Sequence, residues 1–154
     1  YNADIEAVRL ACIFHDVERS VNPKGHELSA AKLAETYLRG NGAPKHLIGK
    51  VRKIVLNHHA DPNKLETLEE RIVWDADKLD ALGLIGLARC LLEAGFHRNT
   101  IDEAINHVLH DIETFKDKMH LKETRELAKT RISNTLKFIR TLKSEIAEVD
   151  RKQT

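Results

Sequence analysis

The sequence predicts an all-α fold, a single helical bundle, and three observations carry that prediction. Apolar residues recur at helical spacing along almost the whole chain, with no clear run of alternating strand character. Two Thr-x-x-Glu capping boxes, Thr67 to Glu70 and Thr100 to Glu103, mark helix starts. Glycine and proline fall between the periodic stretches rather than within them, as in "NPKG" and "RGNGAP". At 154 residues the chain is long enough for one domain with a sizeable core.

The elements follow in order. A first helix is expected over about Ala3 to His15, with Ile5, Val8 and Cys12 on one face and Leu10 and Ile13 widening the apolar side, so that it is well buried. "ERSVNPKG" is a loop, and His26 opens a second helix carrying Leu28, Ala31, Leu33, Ala34, Tyr37 and Leu38. Gly40 and Gly42 end it, and Pro44 suits the first turn of a third helix with Leu47, Ile48, Val51, Ile54 and Val55. That helix runs into His58 and His59. The Thr67 box begins "LEERIVWDADKLDALG", "LIGLARCLLEAG" continues as helix, and the Thr100 box opens another. A long last helix from about Glu123 is expected to turn Leu127, Ile132, Leu136, Ile139, Leu142 and Ile146 to the core before "RKQT".

Charge and composition exclude several function classes. A hydrophobic fraction of 42% with 32% charged residues is that of an ordinary folded domain and not of a disordered tail. Lys+Arg 25 against Asp+Glu 24 leaves +1, which provides no basic field for nucleic acid or an acidic membrane surface. Apolar runs are broken by charge well short of the roughly 20 residues a membrane span needs. No signal peptide is recognisable, and Cys12 and Cys90 read as buried thiols, so the expected compartment is the cytoplasm. The first residue is Tyr1, within what reads as a helix already forming, and a preceding N-terminal helix is therefore expected.

Four places put His or Asp where a helix ends or faces inward: His15-Asp16, His26, His58-His59, and Asp75-Ala76-Asp77. Neutral imidazole and carboxylate are the usual ligands of Zn, Mn, Fe or Ni. Neighbours on a regular helix diverge by about 100°, so His15 and Asp16 meet one ion only if the helix ends there. "WDADKLDALG" gathers Asp75, Asp77 and Asp80 around Lys78; three weak helix formers in one helical stretch ask for a nearby cation. Each residue alone also has a bland reading, as a satisfied histidine or a solvated helix end. The conjunction favours a metal site.

These residues resemble a known family. "FHDVERS" resembles the His-Asp element of the HD-domain metal-dependent phosphohydrolases, a family of helical enzymes, and "VWDADKLDALGLIGLAR" is similar to the distal Asp segment of its small bacterial and archaeal members. "FKDKMHLKETRELAKTRISNTLKFI" is similar to their C-terminal region, so the likeness spans nearly the whole chain. The resemblance implies that His15, Asp16 and Asp77 ligate a divalent metal (Mn, Mg, Co, Ni, Zn or Fe) and that Lys78 contacts substrate phosphate. The family's first ligand is a His upstream of the pair, and none precedes His15.

His26, His58 and His59 resemble the extra histidines of two-metal members, where they hold a second ion or act beside it. The implied activity is cleavage of a phosphate ester or anhydride, with a nucleotide as the expected small-molecule partner and no nucleic acid or membrane. His26, or Glu18 after the pair, is the candidate for proton transfer. Arg19 and Arg89 are read as surface or packing residues in preference to phosphate contacts. Two alternatives stand beside hydrolysis: a dinuclear iron oxygenase, and a non-catalytic nucleotide-sensing module.

Overall fold

The computed structural model describes residues 1–151. Its elements are α1 (Ile5–Phe14), α2 (His26–Gly40), α3 (Lys45–Asn57), a single 3-10 turn (Pro62–Lys64), α4 (Leu68–Ala81), α5 (Leu84–Phe96), α6 (Ile101–Phe115) and α7 (Lys122–Arg151). No strand occurs among the described residues, and the fold is all-α. No helix among them is long and apolar enough to cross a membrane. The chain forms two compact units, Tyr1 to Asp77 and Lys78 onward, and the division falls inside α4.

In the first unit, α3 packs against both α2 and α1. The core is built from small residues on α1 and α2 (Ala7, Ala11, Ala30, Ala31, Ala34) against larger ones on α3 (Leu47, Val51, Ile54, Val55). Alanine lets helices approach closely, and this corrects two expectations. Of the residues assigned to the buried side of α1, Ile5 and Ile13 are exposed and so is Cys12; Ala7, Ala11 and Phe14 face the core instead. Cys12 is therefore no buried thiol, and Cys90 is only partly covered; both are free.

Caps hold the ends. Asp4 accepts from the Ala7 N–H and takes Lys50 Nζ at 2.7 Å, starting α1 two residues later than expected. Gly25, at φ +83°, turns the chain in the left-handed region just before His26, a conformation that favours glycine. Thr67 and Glu70 form the expected reciprocal box, with Glu70 Oε2 2.8 Å from the Thr67 N–H and Thr67 Oγ1 3.2 Å from the Glu70 N–H. Glu70 is buried and also accepts from Asn57 Nδ2 at 2.6 Å, which pins the end of α3 to the start of α4.

In the second unit, α5 packs against α6 and α7. The Thr100–Glu103 capping box is complete. Along α7 the buried positions are Ala128, Thr135 and Ile139, while Leu127 and Ile146 are exposed, against expectation. Thr135 Oγ1 donates to the Leu82 carbonyl at 3.3 Å, and Arg131 Nη1 to the Leu79 carbonyl at 2.5 Å.

Candidate metal centre

Two helix ends and one helix start supply the centre of the first unit. α1 stops at Phe14, so His15 caps it and Asp16 lies in the turn that follows. α3 stops at Asn57, with His58 as its cap and His59 one residue beyond. His26 is the first residue of α2. Where a helix ends, sequence neighbours are released from their 100° divergence, and the His58 and His59 rings come to 4.0 Å between centroids.

Asp16, His26, His58 and His59 each offer a ligand atom within 4.8 Å of the others. Asp16 Oδ1 is 3.0 Å from His26 Nε2 and 3.5 Å from His58 Nε2. None of these three atoms makes a hydrogen bond among the described residues, although all are buried, and His26 Nδ1 also lacks one. The 3.0 Å approach is thus a convergence of ligand atoms rather than a hydrogen bond. Buried polar atoms without partners are rare and ask for an explanation.

The other carboxylate oxygen faces a second group. Asp16 Oδ2 is 3.8 Å from His15 Nε2, which is 3.9 Å from Asp77 Oδ1; Asp77 Oδ2 is 3.8 Å from His59 Nε2. Of the predicted trio, Asp16 alone belongs to the tight group of ligand atoms; His15 and Asp77 flank it at 3.8–3.9 Å. Arg19 also reaches in, with Nη1 2.8 Å from Asp16 Oδ2.

Hydrogen bonds on the outer side fix the rings. His15 Nδ1 is 2.9 Å from the Cys12 carbonyl, and His58 Nδ1 is 2.6 Å from the Val55 carbonyl. A carbonyl only accepts, so Nδ1 carries the proton in both rings and the Nε2 lone pair faces inward. His59 Nδ1 is held by Glu27 Oε1 at 3.0 Å. Metal-ligating histidines are oriented in this way.

Electrostatics favour the ligand forms. Burial pushes the His58 pKa down to about 4, against a smaller opposing effect from its Val55 hydrogen bond, so the ring is neutral at pH 7. Burial also works to raise the Asp16 carboxyl, but the Arg19 hydrogen bond and charge outweigh it and hold the group below the usual range. A neutral His58 imidazole and an ionised Asp16 carboxylate, converging with buried atoms that lack hydrogen bonds, fit a divalent cation.

The remaining predicted residues lie as follows. Asp75 is fully buried in α4. Lys78, in the second unit, is also buried, its Nζ 5.6 Å from the centroid of the Phe115 ring. Asp80 is paired with Arg89. Glu18 sits in the turn after Asp16, where its carbonyl accepts from the Val21 and Asn22 N–H groups. Glu27 was not singled out by sequence reasoning; its adjacency to His26 at a helix start after Gly25 is the signal that points to it.

A family model for the HD domain matches residues 1–82, and the chain belongs to that family. The uncharacterized protein YpgQ of Bacillus subtilis (strain 168) is 30% identical over 156 residues, which cover 96% of this chain and 76% of YpgQ. A solved structure of Bacillus subtilis YpgQ in complex with ADP matches with a TM-score of 0.76 and 30% identity, over 94% of this chain and 79% of that one. The Lin1889 protein of Listeria innocua matches with a TM-score of 0.74 and 28% identity, over 95% and 77%. A predicted HD superfamily hydrolase from an uncultured Thermotogales bacterium, at 20% identity and a TM-score of 0.65 over 93% and 69%, shares the fold.

Proposed function

We propose that this protein is a metal-dependent phosphohydrolase that cleaves a phosphate ester or anhydride of a nucleotide. The observation that carries the reading is the convergence of buried Asp16 Oδ1, His26 Nε2 and His58 Nε2 without hydrogen-bond partners among the described residues. Membership of the HD family supports hydrolysis, and the ADP complex of YpgQ supports a nucleotide as the ligand class.

His15, Asp16 and Asp77 hold the metal in this reading, and His26, His58 and His59 serve a second ion or act beside it. The two-metal form is favoured by Asp16, whose Oδ1 faces His26 and His58 while Oδ2 faces His15. A bound divalent cation supplies Lewis acidity toward a phosphoryl oxygen and lowers the pKa of water. The two ring nitrogens of His26 make no hydrogen bond among the described residues, and His26 serves as the proton carrier, with Glu18 as the alternative. Lys78, directly after Asp77, provides a point charge for substrate phosphate. Arg19 competes for Asp16 Oδ2, and as an exposed ion pair it yields easily.

The test loads chelator-treated protein with Mn, Mg, Co, Ni, Zn or Fe and measures bound metal. Phosphate and pyrophosphate release from nucleoside mono-, di- and triphosphates is then followed. Metal retention with nucleotide cleavage, both lost in Asp16→Ala, is the expected result. Retention below roughly a tenth of an equivalent with every ion would leave a non-catalytic nucleotide-sensing module. A mixed-valent iron spectrum under air, with no phosphate release, would indicate oxygen chemistry.

A further inference from the structure

Three rings in the centre have a hydrogen-bonded Nδ1, but they are not held alike. His15 and His58 donate to carbonyls three residues back in their own helices, Cys12 and Val55. Both carbonyls belong to the last turn of the helix that the histidine caps. His59 instead depends on a side chain 32 residues away, Glu27 in the first turn of α2. The same Glu27 Oε1 lies 4.0 Å from His26 Nδ1, so one carboxylate oxygen faces two imidazoles of the cluster from behind.

We infer that Glu27 is a positioning residue: it commits His59 to the Nδ1–H tautomer, turns the Nε2 lone pair toward Asp77, and so presents His59 as a ligand. The inference rests on the metal-site reading above and deepens it. An ionised carboxylate only accepts, so the 3.0 Å contact places the proton on Nδ1. His59 keeps 32% of its side chain exposed, and Glu27 Oε1 approaches its ring at Nδ1, opposite the Nε2 that faces Asp77. His26, by contrast, is buried, and its ring is fixed by its surroundings. Glu27 therefore matters most for His59. An outer hydrogen bond of this kind typically changes metal affinity by about 10–100-fold.

The experiment reads the tautomers first, without metal or nucleotide, by long-range nitrogen–proton correlation on uniformly ¹⁵N-labelled, chelator-treated protein. Wild-type His59 is expected with an unprotonated Nε2. Glu27→Ala should shift it toward the Nε2–H form, with His15 and His58 unmoved. Zn²⁺ titration by calorimetry should then show affinity falling about 10–100-fold in Glu27→Ala and largely restored in Glu27→Gln, whose amide oxygen still accepts the proton. An Nε2–H tautomer of His59 in the wild type overturns the inference by itself, whether or not the alanine variant folds. So does an unchanged tautomer and affinity in Glu27→Ala. Failure of wild type to bind Zn²⁺, with the tautomer shift intact, counts against the proposed function and leaves the role of Glu27 toward His59 standing.

Discussion

His58 shows what a single residue carries between stability and function. It is buried, its Nδ1–H is bound by the Val55 carbonyl, and its pKa falls from an ordinary 6.5 to about 4. Below pH 6.5 the unfolded chain therefore binds a proton that the folded chain refuses. Stability is full above pH 6.5 and declines as pH falls toward 4, by up to about 3 kcal/mol from this residue. Urea unfolding of metal-free protein at pH 7, 6 and 5 should show that decline, and His58→Gln should flatten it. The buried Glu70 carboxyl, held below its usual range because hydrogen bonds from Asn57 and Thr67 outweigh its burial, acts only further into acid, below about pH 4.5. An equal slope in wild type and His58→Gln between pH 6.5 and 5 would rule His58 out as the source. The sequence made His58 legible as an imidazole at a helix end. It did not reveal which nitrogen faces inward, because a carbonyl, invisible in residue identity, decides that.

At the scale of the element, helix existence and helix starts were readable, and helix phase was less so. The Thr67 and Thr100 boxes formed because each is a purely local exchange of two hydrogen bonds. The buried face of α1 was misread because hydrophobicity ranks Ile5 and Ile13 above Ala7 and Ala11, whereas close helix packing selects the small residues. The same holds on α7, where Ala128 is buried and Leu127 is not. Glycines test this reading of close approach directly. A Cβ on Gly86 would lie 2.3 Å from the Ala81 carbonyl oxygen, backbone that cannot rotate aside, whereas one on Gly49 meets nothing within 4 Å. Gly49→Ala should stabilise by about 0.5–1 kcal/mol through helix propensity alone. Gly86→Ala should destabilise by about 1–3 kcal/mol despite the same propensity gain. Urea midpoints of the two variants are expected on opposite sides of wild type; both on the stabilised side would show that the α4–α5 turn is not tight.

For the molecule as a whole, the centre is a stability cost when no ligand satisfies it. A buried polar atom without a hydrogen bond costs about 1–3 kcal/mol, and among the described residues His26 has two such atoms, with Asp16 and His58 adding one each. An even balance of 25 basic and 24 acidic side chains adds no large self-repulsion, so the centre stands out as a local penalty. A ligand that binds only the folded chain repays it: at a free concentration of 100 times Kd the gain is about 2.7 kcal/mol. For a chain of this size each kcal/mol moves Tm by roughly 2–4 °C. Saturating divalent cation should therefore raise Tm by about 5–10 °C over chelator-treated protein. His26→Met separates this from non-specific ion effects. Filling the same buried position with an apolar, adaptable side chain removes two nitrogens that lack hydrogen bonds, so the metal-free variant should melt above metal-free wild type. Its response to cation should be smaller than that of wild type, because one of the converging nitrogens has been removed while His15, Asp16 and Asp77 remain. Both shifts can be read in one set of melting curves, with and without cation. A metal-free His26→Met that melts below wild type would mean that the ring already contributes net stability through its packing, and that the centre is not held against a stability penalty.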